Sequence, residues 1–142
     1  MAVSYSAMHS GLGRGLTAVY GIFALAATAR AGYEFASKFD QAPLAYSLSL
    51  FSALVYIVAT VCFVLGTRTS HRIAIGACLV EFVGVIVVGA LSLIRPDLFP
   101  DSTVWSAFGI GYGFIPVILP LVGLWWLRRV GRAAQAASPA QV

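Results

Sequence analysis

Acidic residues are scarce in this chain: five Asp and Glu stand against nine Lys and Arg in 142 residues. Charged residues of both signs make up only 10% of the sequence, where a soluble domain carries roughly 25%. So few charges cannot cover a water-facing surface, which excludes an ordinary soluble domain. Cysteine is equally rare. Cys62 and Cys78 alone cannot build a disulfide framework, and no C-x-x-C pair suggests redox chemistry. His9 and His71 are isolated, so neither a metal site nor a bound cofactor is expected. A Walker loop, a G-x-S-x-G elbow and an H-E-x-x-H helix are all missing, and with them the commoner hydrolase and nucleotide-binding chemistries. The basic residues fall in short clusters between apolar runs, not along one face, which speaks against a nucleic-acid partner.

What fills the sequence is apolar. Hydrophobic residues make up 60% and the mean hydropathy is +0.90, so the lipid bilayer is the natural solvent. Four long apolar runs are present, at about 16–35, 43–66, 73–94 and 104–127, each near the roughly 20 residues that cross a hydrocarbon core. Strict alternation is absent from all of them, which excludes a membrane β-barrel. The expected fold is all-α, a four-helix transmembrane bundle with short connecting loops. A segment 1–15 precedes a membrane domain 16–129, and a small, polar, flexible tail 130–142 follows.

Punctuation supports these bounds. Pro43 suits a first helical turn, where its missing N–H costs nothing. Gly66 closes the second run before the polar turn TRTSHR at 67–72. The link RPDLFPDS at 95–102 carries two prolines, and Asp101 or Ser102 is placed to cap the fourth helix. Arg14, Arg68, Arg72, Arg128, Arg129 and Arg132 flank one side of a four-span arrangement; Lys38 and Arg95 flank the other. Six against two is a positive-inside bias that puts both termini in the cytoplasm, with anionic lipid heads as partners at that face. Trp125 and Trp126 are then expected at the inner interface, and Trp105 and Tyr33 at the outer one. A competing reading takes Arg14, LTAVYGIFALA and Ala27-Thr28-Ala29 as a signal peptide ending in a cleavage site. Apolar character continues beyond Ala29, which favours a retained first helix.

Three groups of residues stand out as candidate sites. Arg30, Glu34 and Lys38 recur at i, i+4 and share one helix face, with Tyr33 close by. Arg30 lies beyond the midpoint of its helix, where it can snorkel outward, pair locally, or line a polar pocket for an anionic or zwitterionic group. Glu81 is more demanding. It sits alone in ACLVEFVGVIVVG, near the bilayer middle, and must either take a proton or find a partner on another helix. Candidates are Arg30, Thr60, Tyr20 and Tyr112, with Arg30 the electrostatic favourite. In the fourth run Gly109 and Gly113 form a G-x-x-x-G pair that suits close helix packing or a homodimer seam. Pro116 and Pro120 follow at i, i+4 and predict a kink near mid-membrane. Asp97 and Asp101 are the one carboxylate pair near a surface, and they read as turn and cap residues.

The Arg30 region, KFDQAPLAYSLS at 38–49, VEFVGVIVVGALSL at 80–93 and FPDSTVWSAFGIGYGFIPVILPLVGLWWL at 99–127 together resemble small four-helix integral membrane proteins of uncharacterised function in high-GC Gram-positive bacteria. The resemblance implies a fold and a location and carries no catalytic residue. The expected role is a non-enzymatic accessory or structural component of the plasma membrane, acting through helix contacts with a second copy or another membrane protein. The rival is a small proton-coupled transporter using Glu81 and Arg30. Small multidrug-resistance transporters have a similar size, but they rely on a carboxylate in the first helix, whereas here it is in the third.

Overall fold

The computed structural model describes residues 5–100 and 103–137. Four α-helices carry the architecture: α1 (Leu12–Lys38), α2 (Pro43–Leu65), α3 (Arg68–Ile94) and α4 (Ile115–Ala137). Among the described residues there is no strand. α1, α2 and α3 are each long and apolar enough to cross a membrane, and the bent pair Ser106–Tyr112 with α4 makes up a fourth candidate. α1 packs on α2, α2 on α3, and α3 on both α4 and the 106–112 segment; the α1–α4 contact is slight. Because lipid is as apolar as a protein core, the helices expose large side chains outward: Ile22, Leu25, Val64 and Ile94 are all more than half exposed.

Local chemistry sets the helix ends. Pro43 is the first residue of α2, as expected, and Gly66 caps that helix in a left-handed conformation (φ 59°). α3 begins earlier than the sequence reading placed it. The polar stretch 67–72 is not a turn but the first turn of the helix, because Thr67 and Ser70 form a reciprocal capping box. α1 likewise starts at Leu12 and runs to Lys38. Tyr5 and Met8, beside and within a short turn at Ser6–His9, are buried against the bundle.

The fourth run departs most from expectation. Instead of one helix over 104–127, residues Ser106–Tyr112 form tight turns interrupted by a kink at 107–109, and α4 follows after a 95° bend. Ala107, Phe108 and Gly109 have φ values of 48°, 60° and 82°, and Gly113 and Phe114 are also left-handed. The bend therefore lies at Gly113–Phe114, ahead of both prolines. Pro116 sits in the first turn of α4, where a proline is tolerated, and Pro120 lies inside the helix. α4 then continues to Ala137, so the tail expected to be flexible from residue 130 is helical over its first turns. The cap proposed at Asp101 or Ser102 lies outside the described residues.

Irregular backbone of this kind needs support, since its polar groups cannot turn to lipid. The Ala107 N–H donates to Ser92 Oγ of α3 at 2.8 Å. Gly113 N–H and Phe114 N–H close the turn onto Ile110 O and Gly109 O. Glycines on α3 make room: a side chain at Gly84 would strike the Trp105 ring at 2.5 Å, and Gly89 lies against Phe108.

Candidate functional site

The elements converge on Glu81. It lies about 20 Å along α3 from Arg68, at 1.5 Å per residue, close to the helix midpoint, and its exposure is 0%. α1 supplies Tyr20, whose hydroxyl donates to Glu81 Oε1 at 2.8 Å and lies 3.3 Å from Cys78 Sγ. α2 supplies Tyr56, whose hydroxyl also interacts with the Glu81 carboxyl. The 103–114 segment supplies Trp105, whose indole N–H donates to the Tyr56 hydroxyl at 3.1 Å. α4 closes the cluster with Gly123, where an added methyl would meet Cys78 Sγ at 3.1 Å and the Tyr20 hydroxyl at 3.3 Å. The second carboxyl oxygen, Oε2, has no hydrogen-bond partner among the described residues. Phe63 stacks on Tyr20 at 5.6 Å on one side.

Arg30 is not the partner of Glu81. Its Nε lies 2.7 Å from Glu34 Oε1, and its Nη1 donates to the Tyr112 hydroxyl at 3.3 Å. The i, i+4 pair expected on α1 is therefore formed, with Glu34 buried and Arg30 partly open. The stripe stops there: Lys38 Nζ lies over the Tyr33 ring, 5.9 Å from its centroid. Arg30, Ser49, Ser52, Val104 and Tyr112 line a cavity of about 20 Å³ with Phe23 as one wall, room for a single water. Phe23 packs on Tyr112 at 5.6 Å and on Tyr56 at 5.4 Å. One ring thus separates the Arg30 cleft from the Glu81 cluster. Thr60, another candidate partner for Glu81, donates instead to Tyr56 O.

The remaining candidates fall elsewhere. Gly109 and Gly113 do not form a packing stripe on a helix; both are turn residues with positive φ, and Gly109 faces Pro116. Pro116 and Pro120 are fully buried on the inner face of α4. Asp97 is exposed and paired to Arg95 through two hydrogen bonds of 2.9 and 3.0 Å, while Asp101 lies outside the described residues. That ion pair holds the Asp97 carboxyl below its usual range and the Arg95 guanidinium above its own. Cys62 and Cys78 are buried free thiols. His71 bonds Leu127 O through Nε2 at 2.6 Å, and no group of three His, Cys, Asp or Glu that could hold a metal occurs among the described residues.

Two partners of the central cluster escape a reading by charge. Tyr56 and Phe23 are aromatic residues in apolar runs, and the one available signal is a hydroxyl or a ring at mid-run. Trp105 misleads in a different way. Its position after a proline-rich link suggests an interfacial anchor, yet it is 1% exposed and reaches the centre of the bundle. No protein-family model, curated protein or solved structure matches the chain.

Proposed function

We propose that this chain is a four-pass protein of the plasma membrane, with both ends in the cytoplasm, acting as a non-enzymatic accessory or structural component through helix contacts. The six-to-two distribution of basic residues supports that orientation. The observation that carries the role is that Arg30 and Glu81 each find a hydrogen-bond partner inside the bundle. Arg30 is engaged by Glu34 and Tyr112. Glu81 is enclosed among hydroxyls from two other helices, with no exposed surface. A carboxyl so placed ties α3 to α1 through the Tyr20 hydroxyl, with Tyr56 of α2 alongside.

A proton-coupled transporter remains the second reading, favoured by one feature: Glu81 Oε2 is buried without a hydrogen-bond partner. Proteoliposomes separate the two. The accessory role expects proton flux no faster than in protein-free vesicles, unchanged in Glu81→Gln and Arg30→Gln, together with a stable membrane-protein partner captured by crosslinking in cells. Proton flux that is lost in Glu81→Gln would replace it with the transporter.

A further inference from the structure

The arginine-rich ends of α3 and α4 face one another across a groove that nothing in the central cluster explains. Arg68 and Arg72 stand one turn apart on α3, with Ile75 the next turn in. Arg132 and Arg128 stand one turn apart on α4, with Leu124 the next turn in. The helices approach closely here, because Gly131 lets the backbone of α4 come to about 3.0 Å from the His71 ring, measured from an added methyl position. Beside this contact lies a cavity of about 600 Å³, lined by His71, Ile75, Leu124, Arg128, Arg132 and Gln135. A second of about 250 Å³ adds Tyr5, Arg68 and Arg72 while sharing His71, Ile75 and Gln135.

Among the described residues no carboxylate pairs with the charge at this end. The acidic residues of the chain are Glu34, Asp40, Glu81, Asp97 and Asp101. Glu34, Asp40 and Asp97 belong to the opposite end, Glu81 is sealed at the midpoint of α3, and Asp101 lies outside the described residues. Among the described residues the ion pairs are Arg30–Glu34 and Arg95–Asp97, so the four groove arginines have no carboxylate partner. Guanidinium groups bind phosphate oxygens in paired hydrogen bonds. The groove also changes character along its length, from arginine at the rim to Ile75 and Leu124 one turn deeper. That polarity gradient runs in the same sense as a phospholipid, head outward and chain inward.

We infer that this groove holds one anionic glycerophospholipid, its head-group phosphate on Arg72, Arg128 and Arg132 and an acyl chain laid over Ile75 and Leu124. The inference rests on the membrane-embedded reading but not on the accessory role. General attraction of basic residues to an anionic leaflet would involve every arginine at this end equally. Arg129 turns to the Trp125 ring at 5.5 Å and lines, with Arg128 and Arg132, a separate cavity of about 410 Å³; neither it nor Arg14 of α1 lines the groove with His71, Ile75 and Leu124.

Native mass spectrometry of the full chain in mild detergent, titrated with phosphatidylglycerol or phosphatidylcholine, tests this. Recovery in water without detergent would refute the membrane reading itself. A detergent-dependent protein without a saturable phosphatidylglycerol adduct would refute only the lipid site. The expected result is saturation at one phosphatidylglycerol per chain, with phosphatidylcholine weaker. Arg72→Gln/Arg128→Gln should weaken phosphatidylglycerol binding by about 25-fold, taking about fivefold for each arginine. Arg14→Gln/Arg129→Gln removes the same charge and should change binding by less than about threefold. Equal losses in the two double variants, or displacement of the lipid by millimolar inorganic phosphate, would overturn the proposal. Ile75→Trp leaves every charge in place and should also reduce occupancy by obstructing the apolar floor; full occupancy in this variant counts against the acyl-chain placement.

Discussion

Exchanging one oxygen of Glu81 for nitrogen tests what the central carboxyl does. Gln keeps a carbonyl oxygen to accept the Tyr20 hydroxyl bond, so Glu81→Gln should change bundle stability by less than about 1 kcal/mol. Glu81→Leu removes the acceptor of that buried hydroxyl and should cost about 1–3 kcal/mol; thermal unfolding in mild detergent reads both. A Gln variant as damaged as the Leu variant would mean that the negative charge, not the hydrogen bond, holds the site. At the opposite extreme of exposure is Asp97. Its folded carboxyl is acidified by the Arg95 hydrogen bonds, so the pair stabilises the link at neutral pH and loses that contribution as pH falls through the lowered value. NMR titration of the Asp97 carboxyl should show it return upward to the ordinary range in Arg95→Gln.

Among the elements, the left-handed segment before α4 is the least ordinary and the easiest to break. Ala107 and Phe108 tolerate positive φ only because Ser92 bonds the backbone and Phe108 is seated on Gly89. Gly109 has the largest φ of the three, 82°, and a methyl there would meet the Pro116 ring at 2.7 Å. Gly109→Ala should therefore cost about 1–3 kcal/mol from backbone strain, with an additional steric penalty against Pro116. The result should appear as a lower unfolding temperature and as increased exposure of Trp105 by fluorescence, since Trp105 is carried by the same segment. A Gly109→Ala protein with unchanged stability would show that residues 106–114 adopt an ordinary helix.

At the scale of the whole molecule, sidedness is an electrostatic property of the ends. Arg128→Glu/Arg129→Glu/Arg132→Glu removes half of the six arginines that flank the proposed cytoplasmic face and should misorient α4 in part of the population. A reporter fused after residue 142 measures this: the unaltered chain should report the cytoplasm, and the variant a mixture. Unchanged single-sided reporting would show that the earlier helices fix the orientation without the C-terminal charges.

The sequence by itself determined the solvent, the helical class and the approximate places of α1, α2 and α3. Each follows from a run of apolar residues long enough to span a bilayer, and from Pro43 and Gly66 acting locally on their own helices. It also placed Glu34 within reach of Arg30, because one helical turn brings i and i+4 together whatever surrounds them. The fate of Glu81 was decided only by the tertiary structure. Its partner is 61 residues away, and Arg30, favoured on charge, is already held by its neighbour. The shape of the fourth run is tertiary for the same reason: hydropathy cannot tell a straight helix from a bent segment of glycine and aromatic residues. That choice rests on Gly84, Gly89 and Ser92 of α3, which receive Trp105, Phe108 and the Ala107 amide and so stabilise a backbone that no local preference would select.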